Sequence, residues 1–463
     1  MSRKFTTFRP LGALLIVLAL VAVACGDDDA ETTTTTAAAT TTTAGATTTT
    51  AGDTFTPGAL GYIEVAPGDP IEIRALQAIS GDVAFLGQDQ VYGVELAIAD
   101  YGDVLGHPVN LGTVEDDLCS AEGGQAGAQN ILAQLAPVAG SDNGFTGPLG
   151  VIGTTCSGAA RAALPLLSEG GTVLISGSNT SPSLTSNLFG VPGENYAPGY
   201  FRTAHNDLFQ GGAVARFAYN ELGVRRAAAI HDGDPYTDGL ATAFKDTFEA
   251  LGGEVVVYTA TIADAGDTDK TAVLTEVAQG DPELVFFPIF QPAGDFIIQQ
   301  GKDFAGLEDV IWVGADGILI DAFMALPESA GMYFSGPDLR FGENTSVTGT
   351  SYADFLVAYE ELAGTAPTAA FHAHTYDATA LLLSTIEAIA FVEADGTLKI
   401  DRQGLRDALH ATTGFQGMIG TLSCDRFGDC GSQAISVIHH EDPTDVAASK
   451  ANVVYGEMLG LEN

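Results

Sequence analysis

The chain has 463 residues, 59 of them acidic and 18 Lys or Arg, giving a net charge of −41. Phosphate backbones are gripped by clustered Lys and Arg, so this balance excludes nucleic acid as a partner. It speaks for a soluble, self-repelling surface suited to salty surroundings, and the length exceeds one ordinary core of about 100–200 residues, so two domains are expected.

The start of the chain is a targeting signal. Arg3, Lys4 and Arg9 precede an apolar run from Leu11 to Val23, and Ala22-Val23-Ala24 leads into Cys25. A basic segment, a short apolar segment and a small-residue cleavage site make a secretory signal. A cysteine at the first mature position resembles a bacterial lipobox, in which the thiol receives a lipid. The rival readings are a plain signal peptide with a chance cysteine and a membrane helix, for which the run falls short of the roughly 20 residues a span needs. Residues 1–24 are therefore expected as a lipoprotein signal peptide and Cys25 as the lipidation site. Removing residues 1–24 takes away three basic groups and moves the net charge to −44. Residues 32–50 are Thr and Ala with one glycine. Nothing there can bury enough apolar area to offset ordering entropy, so 25–58 is expected as a lipid anchor and disordered tether. The expected location is the outer face of the cytoplasmic membrane.

From residue 71 onward, short apolar runs alternate with helical patterns. A strand at 71–76, a helix over 89–101 and a strand at 107–114 open the series. A helix over 120–135, a strand at 148–153, a helix over 159–168 and a strand at 172–176 continue it. After a break near Tyr200 the rhythm restarts. Helices are expected over 210–222, 238–251, 271–279 and 293–304, and strands at 226–230, 254–258, 284–287 and 310–313. Two longer helices are expected over 351–363 and 376–390. Repeated β-α-β units mean an α/β fold with parallel sheets covered on both faces. In such sheets ligands lie at the carboxyl ends of the strands, so the strand-to-helix loops are the segments that carry function.

Beyond Cys25 there are four cysteines, an even number in an exported protein, which points to two disulfides. Three pairings are possible. A local Cys424–Cys430 bridge is the most economical, leaving Cys119 with Cys156. A zinc site is the rival, but the spacing is wide for a knuckle and no histidine pair sits nearby at metal spacing.

Six of the loops have a common likeness: AISGDVAFLG at 78–87, EDDLC at 115–119, VIGTTCS at 151–157, ISGSNTSPSLT at 175–185, HDGDPYTDGL at 231–240 and YDA at 376–378. In order and in register, they resemble the type I periplasmic-binding fold, in particular the leucine/isoleucine/valine-binding group that serves ABC importers. The resemblance runs from about Ile71 to Ile438. It implies two Rossmann-like lobes with parallel central sheets joined by a three-segment hinge. Lobe 1 would comprise 70–202 and 337–417, and lobe 2 203–336 and 418–459, with crossings near Arg202, Pro337 and Gly417. It also implies a Cys119–Cys156 bridge, a membrane permease as partner, a monomeric protein, and a small ligand, an amino acid (branched-chain or related), trapped between closing lobes.

Ser157 follows a strand and precedes a helix, which makes it an expected N-cap. A helix N-terminus holds anions through free N–H groups without Arg or Lys, and the resemblance places a ligand carboxylate there. It likewise assigns the ligand's carboxylate and ammonium to Ser178 and Thr180, the ammonium to Asp316, and a cleft position to Tyr236. Phe85, Leu86, Phe290 and Phe371 are candidates for the apolar side-chain pocket, with ordinary core packing as the rival reading and the preferred one for Phe371; His372 and His374 are expected to be structural. Ser178 stands where the family usually carries alanine, and Phe290 where tyrosine is common. No cofactor and no metal are expected.

No Gly-x-Ser-x-Gly elbow, phosphate loop, His-Glu-x-x-His or Gly-x-Gly-x-x-Gly fingerprint occurs, so an enzyme is not expected. The alternatives are a ligand-sensing binding protein for amides, urea or organic acids, a sensor passing its state to a membrane kinase, and a lipid-anchored serine hydrolase using Ser157.

Overall fold

The computed structural model describes residues 54–134 and 148–458. The expected signal peptide, Cys25 and the tether up to residue 53 lie outside the described residues. The expected tether end at 58 is too late: the Phe55 ring packs against Tyr62 and Phe391, with centroids 4.9 and 5.7 Å apart. The Gly58 N–H also donates to Asp401 Oδ1 at 3.0 Å.

The first lobe opens with β1 (Tyr62–Val65), β2 (Ile71–Glu72), β3 (Arg74–Gln77), α1 (Ala84–Tyr101), β4 (Val109–Asn110) and β5 (Val114–Asp116). It continues through α2 (Ala121–Gln134), β6 (Gly150–Gly153), α3 (Ser157–Glu169), β7 (Val173–Ser176) and β8 (Tyr200–Arg202). Its main sheet is all parallel, in the order β5-β3-β6-β7-β8. The strands expected at 71–76 and 107–114 each break in two. Ile73 separates β2 from β3, and Gly112, at φ +64°, bends the chain between β4 and β5. The outer halves β2 and β4 pair with each other apart from the main sheet.

The second lobe is built from α4 (Asp207–Arg216), β9 (Arg226–His231), α5 (Pro235–Ala250), β10 (Glu254–Ala260), α6 (Thr271–Gln279) and β11 (Leu284–Phe286). It goes on with α7 (Ala293–Gly301), β12 (Ile311–Gly314), α8 (Asp321–Met324) and β13 (Met332–Pro337). Strands β9 to β13 are parallel, and all but the half-exposed edge strand β10 are largely buried on both faces, hence the unbroken apolar runs such as Leu284-Val285-Phe286. The helix expected over 210–222 starts at Asp207 and passes into a wider turn at Phe217–Glu221.

The chain then returns to the first lobe with α9 (Tyr352–Ala363) and α10 (His372–Ile389). Helix α10 packs along α1, where Gly93 allows close approach: a Cβ there would lie 2.5 Å from His372 O. Next come β14 (Phe391–Val392), β15 (Leu398–Asp401), α11 (Arg402–His410), β16 (Phe415–Gly417) and β17 (Gly420–Leu422). Finally β18 (Ala434–His440), α12 (Val446–Ala451) and β19 (Val453–Met458) close the second lobe, β18 and β19 adding antiparallel strands beyond β13. Among the described residues, no helix is long and apolar enough to cross a membrane.

The third crossing falls later than the expected position near Gly417. Residues 418–430 belong with the first lobe: Met418, Ile419 and Leu422 pack with Phe355, Tyr359 and Tyr376, and Cys430 lies in the core over β6 and β7. The reason is Asp377 on α10, whose carboxylate accepts the N–H groups of Met418 at 2.9 Å and Ile419 at 2.8 Å.

Disulfides join Cys119 to Cys156 and Cys424 to Cys430. The second closes a loop that delivers Asp429 to Arg202. The Arg202 guanidinium is fully buried and ion-paired to Asp429. Its remaining N–H groups reach Asn179 O (3.2 Å), Ser181 O (2.8 Å) and Thr185 Oγ1 (2.6 Å).

Breaking a buried ion pair strands one charge, which costs about 3–5 kcal/mol. Arg202→Met is therefore expected to lower the stability of the first lobe by that order in denaturant titration. A second expectation concerns pH. Burial pushes Asp117 and Asp377 up to about 7 from the ordinary 3.8, despite backbone N–H groups on each. A carboxyl with a raised folded pKa favours the folded state when protonated. Stability of the ligand-free protein is expected to rise as pH falls through 7, with a smaller slope in Asp377→Asn.

Candidate functional site

The carboxyl ends of both sheets face each other across a cleft, and a small cavity of about 20 Å³ lies between them. The first lobe lines it with Leu86 and Gln90 of α1, Thr155, Cys156 and Ser157 at the start of α3, Ser178 after β7, and Phe371 before α10. The second contributes Tyr236 of α5, Phe290 after β11, and Asp316 and Gly317 after β12. Among the described residues, no Lys or Arg side chain lines it.

The structure thus brings together Ser157, Ser178, Tyr236, Asp316, Leu86 and Phe290 from distant parts of the sequence. Ser157 is the first residue of α3; the N-cap is Cys156, and no side chain caps the helix. The expected capping role is therefore corrected. Cys156 is held extended by its bridge to Cys119, which shifts the helix start by one residue. The Ser157 hydroxyl instead accepts the Ser181 N–H at 3.4 Å.

Ser178 is more constrained than expected. Its N–H donates to Ser176 Oγ at 3.1 Å, and its hydroxyl lies 2.8 Å from Thr155 O and 3.0 Å from Gln90 Oε1. Both protons serve the first lobe, leaving the carbonyl as the group it can offer. Thr180 lies behind the wall, beside Asp207, and its buried hydroxyl finds no hydrogen bond of good geometry. Phe85 does not reach the cavity; it packs against the core formed by Val83, Leu86 and Ile289, because it sits one residue round the helix from Leu86. Phe371, expected as core, is on the wall, 6 % exposed. His372 is structural: its ring nitrogens lie 2.8 Å from Ala369 O and 2.8 Å from Tyr352 Oη.

Asp316 is the electrostatic centre. Its Oδ1 accepts Gln210 Nε2 at 2.7 Å and the Tyr236 hydroxyl at 3.1 Å, while Tyr236 Oη accepts the Gly317 N–H at 3.0 Å. His205 Nε2 donates to Gln210 Oε1 at 2.5 Å, turning the amide nitrogen toward Asp316. Burial keeps His205 neutral, lowered to about 4. Burial also lifts Asp316 to about 6, with the Gln210 and Tyr236 hydrogen bonds pulling the other way.

Asp207, the first residue of α4, was not singled out by the sequence. It is fully buried, and neither carboxylate oxygen has a well-formed hydrogen bond. Burial, then the neighbouring Asp316, raises its pKa well above 3.8, while Thr180 and Arg202 moderate the rise. Asn206-Asp207 reads as an ordinary helix start, which concealed it. Gln90 had a legible signal: a polar residue four positions after Leu86 on the apolar face of α1.

Buried carboxyls with unfilled acceptor capacity are either protonated or suited to a cation. A helix start with unspent N–H groups, on the opposite wall, suits an anion. Tyr236→Phe removes a donor from Asp316, so the Asp316 pKa is expected to climb above 6, read by NMR titration of the carboxyl carbon.

Comparison with known proteins follows the same lines. A family model described as periplasmic binding protein matches residues 70–436. The leucine-, isoleucine-, valine-, threonine- and alanine-binding protein of Pseudomonas aeruginosa is 26% identical over 382 residues, covering 81% of this chain and 91% of its own. The fold is shared with the branched-chain amino acid transporter substrate-binding protein LivJ from Streptococcus pneumoniae, solved with isoleucine (TM-score 0.63, 21% identity, 84% of this chain and 99% of that one). It is also shared with a solute-binding protein from R. palustris in complex with benzoate (TM-score 0.61, 20% identity, 81% and 94%).

Proposed function

The chain belongs to the periplasmic binding protein family, and we propose that the solute it binds for its ABC transporter is an amino acid with an apolar side chain, branched-chain or closely related. The observation that carries this is Asp316, a buried carboxyl on a cavity wall that has no Lys or Arg among the described residues, with Asp207 buried close by. An α-ammonium in the cavity satisfies Asp316, with the Ser178 carbonyl on the same wall, while Asp207 and Thr180 lie behind it. An α-carboxylate fits the N–H groups at Ser157 and the start of α3. Leu86, Phe290 and Phe371 offer an apolar wall for the side chain. The relatives that bind leucine, isoleucine and valine support the same reading. A benzoate-type ligand, as in the R. palustris neighbour, would leave Asp316 without a partner.

Binding works by closure. Ligand contacts from both lobes favour the closed form, which docks on the permease. In this reading the lobes move about the three crossings, the protein acts as a monomer, and lipid on Cys25 keeps it at the outer face of the membrane.

The test is calorimetry with L-isoleucine, L-leucine, L-valine and benzoate. The amino acids are expected to bind and benzoate to bind far more weakly; the reverse order overturns the reading. Asp316→Asn is expected to weaken isoleucine about 10- to 100-fold, the 1.5–3 kcal/mol of a hydrogen bond to a charged group. It should leave ligand-free stability at pH 7 undiminished, because the ionised, raised-pKa carboxyl opposes folding. A proton on Asp316 competes with the ammonium. Affinity is therefore expected to fall as pH drops below about 6, approaching tenfold per unit, with a shallower slope in Asp316→Asn.

A further inference from the structure

Helix α5 of the second lobe begins against the first lobe at a point that does not line the ligand cavity. Its N-cap is Asp234, whose Oδ1 accepts the Tyr236 N–H at 2.9 Å, while the Asp234 N–H donates to Asp232 Oδ1 at 2.9 Å. With one oxygen and the backbone fixed in this way, the other oxygen has a set direction. Oδ2 points across the cleft into the first turn of α3, where residue 158 is glycine. A Cβ on Gly158 would lie 2.1 Å from Asp234 Oδ2, far inside van der Waals contact. Arg161, one turn along α3, adds a compensating charge that lowers the Asp234 pKa against the rise from burial. The same segment seats a second time at Gly239, where a Cβ would lie 3.3 Å from Pro182 Cδ and 3.5 Å from Ser181 Oγ of the first lobe. Tyr236, which faces the cavity, lies between these two contacts.

We propose that Asp234 and Gly158 form an interlobe stop: the carboxylate seats in the notch left by the missing side chain, and the depth of that notch sets how far the lobes close. The pair acts on the ligand through Tyr236, whose position depends on full seating of α5, so both are positioning residues. This rests on the reading that the ligand is held between closing lobes. It adds that retention is governed by a contact outside the ligand shell.

The experiment is a double-variant cycle with two readouts. Gly158→Ala inserts the clashing methyl. It is expected to raise the dissociation constant for L-isoleucine at least tenfold, mainly through faster release, and to speed amide exchange at residues 236–240 of the ligand-free protein. Asp234→Ser keeps a capping oxygen but withdraws the opposing one, and is expected to change affinity less than about threefold. The two together are expected to return affinity and exchange to the level of Asp234→Ser alone. If Gly158→Ala binds and exchanges as the parent does, the stop does not exist. If the double variant is no better than Gly158→Ala, the methyl acts elsewhere, on the ligand itself or on α3, and the proposal fails. If the parent does not bind isoleucine, the amino-acid reading fails instead, and the exchange measurements, which need no ligand, decide the stop by themselves.

Discussion

The Arg202 guanidinium holds the cleft together. It sits at the end of β8, where the chain first leaves one lobe for the other, and it has no exposure to solvent. A buried guanidinium is tolerable only when its charge and its N–H groups are all met. Here Asp429 supplies the charge, and Asn179, Ser181 and Thr185 supply acceptors. Asp429 comes from the loop closed by Cys424 and Cys430, and that loop also pairs with the Arg202 backbone: Arg202 N–H to Gly428 O at 2.9 Å, and Cys430 N–H to Arg202 O at 3.0 Å. One side chain therefore ties the first crossing, the third crossing and the 178–185 loop into a single rigid unit. That loop carries Ser178, Thr180 and Ser181, so the chain crossings and the cavity wall are positioned by the same contacts.

The site also shows how a chain with few cations handles a charged ligand. A chain at −41 has little Lys or Arg to offer a carboxylate. In the proposed reading, backbone N–H groups at the start of α3 take that part, and they carry no counter-charge that could neutralise the acids opposite. Asp207 and Asp316 remain unpaired by any cation, at the expense of raised pKa values. The general economy of the fold is similar. Asp89, Asp117 and Asp377 are buried and accept backbone N–H groups from loops that have no secondary structure of their own. Buried carboxylates serve here as staples for loops, and one of them moves the third crossing beyond Cys430.

Much of the architecture was legible in the residues because its cause is local. Apolar runs of four to six residues, alternating with helical patterns, pointed to β3, β5, β6 and β7 of the first sheet, β9 to β12 of the second and most of the longer helices within a few positions; β8, β13, β18 and β19 were not legible. The exceptions have long-range causes. The split of β2 from β3 depends on which neighbour each half pairs with. The return of residues 418–430 to the first lobe depends on Asp377, some forty positions earlier. Phe85 and Phe371 exchanged roles because exposure to a cavity is set by a helix's rotation and by the opposing lobe, neither of which a single segment encodes.

The sequence by itself determined the class of fold, the pairing economy of four cysteines, the loops that carry the site and the chemistry available there, since each follows from short-range pattern or from composition. Only the tertiary structure decided which of those groups remain free to act. Ser178 spends its protons on its own lobe, Ser157 yields the cap position to a bridged cysteine, and Asp207 emerges as a buried acid without a partner. Hydrogen-bond satisfaction and burial are properties of all neighbours at once, and Tyr236, Phe290, Asp316, Gly317 and Phe371 reach this cleft only after the chain has crossed between lobes.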